Sequence, residues 1–282
     1  MFRAIPKGIL SALAAALFAL APAAYAQQKD FKPHVGQQGK DVVWVPTPDE
    51  VVERMLNAAQ TKPEDYVIDL GAGDGKIAIA AAKKFGARSL GVEYNPDMVA
   101  LAQRNAQAAG VQGKAQIVQG DIFTTDFTQA TVLTMYLLPS LNMKLRPQIL
   151  AMRPGTRVVT HAFNMEDWEP DETSDVDGRR VYLWIVPAQV AGRWAMEISG
   201  GASEKASLNL DQRFQKIEGT AYLGPVLAGL REPRLSGFRI SFAYVDNKGV
   251  RRDFTGRVTG SQMEGSFRSD NGAEGRWTAT KK

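Results

Sequence analysis

The sequence predicts an α/β protein: a Rossmann-like, mainly parallel sheet with helices on both faces, followed by a small antiparallel all-β barrel or sandwich. Three observations carry this expectation. Between residues 42 and 186, short β-rich runs alternate with helical stretches. A glycine turn joins one of those strands to the helix after it. Beyond Pro187 the helical spacing gives way to apolar residues at every second position.

Thr47-Pro48-Asp49-Glu50 reads as a helix start, with Thr47 as N-cap, Pro48 at the first helical position and Glu50 completing a capping box. Val51, Val52, Met55, Leu56 and Ala59 follow at helical spacing, and Pro63 ends the pattern. Tyr66–Leu70 is a first strand and Lys76–Phe85 an Ala-rich helix. Ser89–Glu93 is the next strand, and Pro96–Ala109 a helix opened by Asn95 and closed by Gly110. Ala115–Gln119, Ala130–Tyr136, Arg157–His161 and Val181–Val186 are further strands, with a helix at Ser140–Leu150. Nearly continuous apolar strands of this kind are buried on both faces. After the boundary near residue 188, Phe238, Ile240, Phe242 and Tyr244 alternate onto one face, as do Phe254, Gly256 and Val258, then Met263, Gly265 and Phe267, then Gly275, Trp277 and Ala279. Hairpin turns at Asn247-Lys248-Gly249, Gly260-Ser261 and Asp270-Asn271-Gly272 link roughly seven such strands.

The first residues read as an address. Arg3 and Lys7 precede an unbroken small-apolar run from Ile9 to Ala24, and Ala24-Tyr25-Ala26 offers a cleavage pattern before Gln27. The expected organisation is a signal peptide over 1–26, a flexible polar lead-in over 27–41, a catalytic-type α/β domain over 42–188 and a β domain over 189–282. The protein is then exported, to a periplasm. An uncleaved leader, acting as a membrane anchor, is the alternative, although the run is short for a span of about 20 apolar residues.

Composition excludes several chemistries. The 282 residues contain no cysteine and two histidines, His34 and His161, which rules out disulfides, a thiol nucleophile and a His-rich metal site. The net charge of +4 includes Arg3 and Lys7, so it gives no ground for a nucleic-acid partner. Residues 27–188 carry 17 basic and 20 acidic residues, whereas residues 189–282 carry 15 and 10. The pattern does not set an oligomeric state.

Asp69-Leu70-Gly71-Ala72-Gly73-Asp74-Gly75-Lys76 closes one strand and opens one helix. Glycines let the backbone turn sharply there and lie close to a ligand. Glu93 falls at the end of the next strand, where an acid can take both hydroxyls of a ribose. That feature suits a nucleoside without distinguishing S-adenosylmethionine from a dinucleotide. Three others do distinguish them. The sixth position of a G-x-G-x-x-G fingerprint is Lys76. Asp69 would repel a pyrophosphate and attract an ammonium group. Asp121, in Gly120-Asp121-Ile122, can meet an adenine amine. Asp74 either touches ligand or only caps the helix.

At DLGAGDGK (69–76), GVE (91–93) and GDIF (120–123) the chain resembles the class I, seven-strand S-adenosylmethionine-dependent methyltransferases, over about residues 42–186. The resemblance implies S-adenosyl-L-methionine as cofactor. It places Asp69, Gly71 and Gly73 at the methionine end, Glu93 at the ribose, and Asp121 facing the adenine with Ile122 alongside. Val45-Pro46-Thr47-Pro48, Tyr136-Leu137-Leu138-Pro139 and His161-Ala162-Phe163, with Trp168-Glu169-Pro170, look like the small protein-lysine methyltransferases of archaea, bacteria and mitochondria. This implies methyl transfer to a protein lysine amine. A small-molecule N- or O-methyltransferase and an exported, non-catalytic nucleoside-binding module are the competing readings.

Tyr136 ends its strand beside the expected methyl position, where its hydroxyl or ring face can orient an amine; it is the catalytic candidate, against a plain core tyrosine. The superfamily often carries Asn/Asp-Pro-Pro-Tyr at that edge. The departure here argues against methylation of DNA or of glutamine amides. Glu166–Asp177 holds seven acids. It reads either as a rim that attracts a protein or small cationic substrate or as a solvated loop.

Overall fold

The structure, a computed structural model, describes residues 31–200 and 204–282. The leader assigned to 1–26 lies outside the described residues. A short hairpin comes first, β1 (Gln37–Gln38) with β2 (Val43–Trp44). Then follow α1 (Asp49–Ala58), β3 (Tyr66–Leu70), α2 (Lys76–Phe85), β4 (Arg88–Glu93), α3 (Pro96–Ala108), β5 (Ala115–Gln119), β6 (Val132–Met135), α4 (Pro139–Leu150), β7 (Arg157–His161), β8 (Glu172–Val176) and β9 (Arg179–Ile185). The sheet order is β5-β4-β3-β6-β7-β9-β8. Its first five strands run parallel, and the last two pairings, β7 with β9 and β9 with β8, are antiparallel, so β9 alone is reversed.

Strand alternation divides the core. Val67, Val132 and Val159 pack with Val51, Val52 and Met55 of α1 and Ala81 of α2. Ile68, Leu133 and Val158 point the other way, onto Leu141, Leu145 and Ile149 of α4. The chain winds outward from β3 to β5, then returns to add β6 and β7 on the other side of β3. The carboxyl end of β3 is therefore the switch point, where open α/β sheets bind ligands.

Nine strands make a second sheet: β10 (Gly192–Ser199), β11 (Glu204–Arg213), β12 (Lys216–Leu223), β13 (Val226–Gly229), β14 (Arg231–Ser236), β15 (Arg239–Val245), β16 (Arg251–Thr259), β17 (Gln262–Ser269) and β18 (Glu274–Lys281). All pair antiparallel, in the order β13-β12-β11-β10-β18-β17-β16-β15-β14. First and last strands, β10 and β18, are neighbours, and the sheet curls into a nearly closed barrel around Trp194, Phe242, Tyr244, Phe254 and Trp277. Gly256 and Gly265 face each other across β16 and β17. A Cβ on either would lie 2.6 or 2.7 Å from the Trp277 ring, so the pair forms the seat of that indole. Three hairpin turns lie where sequence placed them, but nine strands replace about seven.

The two sheets meet at two places. Phe238 packs on Gly155, and Ala188 N–H donates to the Gly237 carbonyl at 2.8 Å. The β11–β12 turn docks on the segment after β7. There the Phe214 ring stacks on Trp168 at 5.7 Å, the Trp168 indole N–H donates to Gln215 Oε1 at 2.9 Å, and Gln215 donates to the Glu169 carbonyl at 2.7 Å.

This docking corrects the reading of Glu166–Asp177 as a substrate rim. Asp167 pairs with Arg146 and Arg213, Glu169 with Lys216, and Glu172 with Arg54. Asp171 accepts from Ile185 N–H, and Asp175 from Gly178 N–H. Five of the seven acids thus hold the chain's own groups, and residues 172–176 are the edge strand β8. The capping box also fails to form. Pro48 is the N-cap of α1, which has no side-chain cap bond, and Thr47 is buried with its hydroxyl 3.2 Å from His161 Nδ1. A buried hydroxyl and a buried imidazole satisfy each other better than either would alone. Finally, Gln37–Lys40, read as lead-in, forms part of the wall of the main cavity.

Candidate active site

The glycine loop sits at the switch point. Gly71, Gly73 and Gly75 have φ of +79°, +54° and +82°. This left-handed region is costly for residues with a Cβ. Gly73 is constrained twice, since a Cβ there would lie 2.8 Å from Trp44 Nε1. Gly71 and Ala72 N–H groups donate to the Val92 carbonyl at 2.9 and 3.0 Å, which ties the loop to the end of β4.

Three carboxylates surround the loop. Glu93 Oε2 accepts from Gly73 N–H and Oε1 from Asn95 N–H, both at 2.9 Å. The carboxylate is thereby fixed in orientation, with acceptor capacity left on each oxygen. Asp69 is 2% exposed and accepts from the Thr134 hydroxyl at 2.7 Å. Burial pushes its pKa up to about 7, against the Thr134 bond, with the charges of Asp74 and Glu93 adding to the rise. Burial also raises Asp74, whose Oδ1 accepts from Lys76 N–H at 3.3 Å, a helix-opening role. A cavity of about 450 Å³ runs past Asp69, Gly73, Glu93 and Asp121 to Ile122 and Tyr136. All seven residues singled out in the sequence (Asp69, Gly71, Gly73, Glu93, Asp121, Ile122 and Tyr136) line it.

Asp121 has partners that sequence did not foresee. Lys40 Nζ lies 2.6 Å from Oδ2, and Phe123 N–H donates to Oδ1 at 2.9 Å. The Lys40 bond holds the Asp121 carboxyl below the usual range. Lys40 also lies over the Tyr94 ring, 4.7 Å from its centroid. The β1–β2 hairpin thus covers the cavity with Lys40 and Trp44. Lys40 was missed because a polar stretch of Gln, Gly and Lys carries no helical or strand period, and Trp44 because the apolar run around it is too short to show one.

At the other end the Tyr136 ring packs against two others: His161, tilted by 37° with centroids 4.0 Å apart, and Phe163, stacked at 6.2 Å. Asn142 and Thr160 fix the Phe163 segment: Asn142 Nδ2 donates to the carbonyls of Phe163 and Asn164 at 3.3 Å, and the Thr160 hydroxyl donates to the Phe163 carbonyl at 2.5 Å. Burial, aided by the Arg179 charge, lowers the His161 pKa to about 4, so the ring is neutral at pH 7. Sequence reasoning gave His161 and Phe163 no role in the site. Their place beside Tyr136 follows from β6 and β7 being parallel neighbours. Among the described residues no group of three or more His, Asp or Glu side chains is arranged to hold a metal ion.

The large cavity fits a cation-bearing nucleoside. A carboxylate fixed by two backbone N–H groups keeps acceptor capacity suited to a diol, and a glycine cradle lies at a strand end. A buried Asp69 gains from a cationic ligand, which favours its ionised form.

Comparison with known proteins agrees. Residues 69–172 match the ANTKMT methyltransferase domain. The chain is 43% identical over 151 residues to a protein-lysine N-methyltransferase of Saccharolobus islandicus, which covers 51% of this chain and 94% of that protein. It is 30% identical over 136 residues to the adenine nucleotide translocase lysine N-methyltransferase of Mus musculus, covering 48% of this chain and 59% of the mouse protein, so the chain spans about three-fifths of that relative. Among solved structures, one described as an RNA methyltransferase from Salinibacter ruber in complex with S-adenosyl-L-homocysteine is 49% identical, with a TM-score of 0.51. It covers 52% of this chain and 96% of that one.

Proposed function

Because the chain belongs to the class I S-adenosylmethionine-dependent methyltransferases, in their protein-lysine branch, we propose that it transfers the cofactor's methyl group to a lysine ε-amine of a protein. The observation that carries this is the continuity of the large cavity from Asp69 and Glu93 to the aromatic wall of Tyr136 and Phe163. When bound, S-adenosylmethionine supplies an electrophilic methyl and a good leaving group, so the protein's task is alignment and exclusion of water.

The residues divide that task. Glu93, held by two backbone N–H groups, accepts the ribose hydroxyls. Asp69 balances the positive charge at the methionine end. Gly71 and Gly73 let the backbone approach, and Asp121 with Ile122 borders the adenine. The Tyr136 ring and hydroxyl orient the acceptor amine, which must arrive unprotonated; burial among Tyr136, His161 and Phe163 disfavours its charged form.

The Salinibacter structure's description raises RNA as a second acceptor class. The charge of residues 27–188, 17 basic against 20 acidic, favours protein. The test is incorporation of labelled methyl from S-adenosylmethionine into a cell extract by the full chain, with Tyr136→Phe beside it. Protease-sensitive label recovered as methyl-lysine, reduced in the variant, is the expected result. Label that is sensitive only to ribonuclease, or that stays in small metabolites, overturns the proposal. The leader read at 1–26 extends the proposal to an exported enzyme, whose cofactor must be delivered across the membrane. Intact mass of the mature chain tests this: a start at Gln27 supports export, and a retained leader opposes it.

A further inference from the structure

A second cavity, of about 270 Å³, adjoins the first and shares Val45, Pro46 and Tyr136 with it as lining. It opens where β6 and β7 end and β9 begins, and Tyr136 and His161 line it together with Arg179 and Arg180. We propose that Arg179 and Arg180 form a carboxylate-binding subsite beside the methyl-transfer point, selecting an acceptor lysine that lies next to an acidic residue of the substrate protein. The inference deepens the lysine-methylation reading and rests on it.

Position is the first argument. The Ala162 N–H donates to the Arg180 carbonyl at 2.7 Å, and Ala162 itself adopts φ of +64°. This bond draws the start of β9 against the end of β7, so the two arginines stand at the entrance to the aromatic wall. Availability is the second. Both arginines are exposed, and among the described residues neither makes an ion pair. Asp175 lies opposite Arg180 in the β8–β9 hairpin, yet its Oδ1 is engaged by Gly178 N–H and it forms no ion pair with Arg180. The third is reach: the Arg179 charge is felt inside the cavity, where it adds to burial in keeping His161 neutral.

Charge complementarity names the occupant. A bare lysine ammonium would be repelled by two guanidinium groups. A lysine beside a carboxylate brings a neutral pair, with the carboxylate left at the arginines, whose planar forks match it. The amine can then continue past Tyr136 into the first cavity. Five of the seven acids that sequence placed near this entrance are meanwhile held by the chain's own groups, as described above. The attraction at this edge is therefore for anions, opposite in sign to the expected rim.

The experiment uses the full chain, labelled S-adenosylmethionine and three peptides that differ only in the residue beside one lysine: Asp, Asn or Arg. The Asp peptide should exceed the Asn peptide by roughly tenfold in kcat/KM, through KM, with the gap shrinking as salt rises. The double variant Arg179→Gln, Arg180→Gln should lose the preference, Arg179→Glu should turn it toward the Arg peptide, and Lys248→Gln, in a distant hairpin, should keep it. Equal use of the three peptides by the wild type, or a preference that survives the double variant, overturns the subsite and leaves lysine methylation standing. Failure to label any lysine peptide, from a chain that binds S-adenosylmethionine by calorimetry, overturns the lysine reading and the subsite with it.

Discussion

Replacing Asp69 with asparagine should stabilise the ligand-free protein above neutral pH while removing cofactor binding. The carboxyl is 2% exposed, and burial raises its pKa from 3.8 to about 7. The unfolded chain releases this proton near 3.8, so between that pH and about 7 the folded state holds a proton that the unfolded state has lost. The group's contribution to stability is therefore present in full below the unfolded pKa and is lost as pH rises through the folded one. At about 1.4 kcal/mol per pH unit, the difference comes to roughly 4 kcal/mol. Asparagine keeps the shape, can still accept from the Thr134 hydroxyl, and carries no charge at any pH. Thermal melts of the ligand-free wild type and Asp69→Asn should coincide near the unfolded pKa. They should then separate toward alkaline pH until the variant leads by several degrees, about 2–4 °C for each kcal/mol at this chain length. Calorimetric titration of S-adenosylmethionine should find binding in the wild type and none in the variant. A variant that melts below the wild type at alkaline pH, or by a margin that does not change with pH, refutes the argument. Asp69 would then be held ionised by contacts stronger than the cost of its burial.

Glu93→Ala should weaken S-adenosylmethionine about 30-fold or more in the same calorimetric titration, since two hydrogen bonds to a charged acceptor are removed together. Gly73→Ala should abolish binding with little loss of secondary structure by circular dichroism, because its Cβ would displace Trp44 at the cavity wall. Gly265→Ala should unfold the barrel: the Cβ would fall 1.9 Å from the Thr255 carbonyl oxygen and 2.7 Å from Trp277 Nε1, a clash costing about 3 kcal/mol or more, visible as quenched or shifted tryptophan emission and a lower Tm. Phe214→Ala should cost about 2–4 kcal/mol, because it uncovers the otherwise buried Trp168; denaturant titration followed by tryptophan fluorescence measures it.

The first sheet was legible because its signals are local and repeated. Tyr66–Leu70, Lys76–Phe85 and Ala115–Gln119 carry period and composition within a few residues, and glycines mark the turns between them. β8 was illegible for the same reason. Glu172–Val176 is mostly polar and exposed, and it exists as an edge strand because Arg54 and the β9 backbone receive it. The strands between Gly192 and Ser236 were undercounted because much of β12 to β14 is polar or only partly buried, which leaves little alternation for a period-2 search.

The site divides along the same line, and the division explains which of its residues sequence could find. Gly71 and Gly73 occupy a left-handed loop, where backbone geometry itself restricts the residue type, and Asp69 and Glu93 sit at the strand ends beside it, a position legible from local pattern. Lys40, Trp44, Thr47 and His161 gain their roles only from contacts across the fold, between residues as far as 114 apart. Thr47 is the sharpest case. Its position before Pro48 is correct for a helix cap, and the local rule assigns it one, but His161 offers a buried partner that no local pattern contains. The acid-rich segment obeys the same logic. Density of charge along the chain suggests attraction to a foreign cation, yet Arg54 and Arg146 from the first unit's helices and Arg213 and Lys216 from the second sheet are brought to it by separate elements. Arg179 and Arg180, which line the smaller cavity and form no ion pair among the described residues, leave their charge open to a substrate.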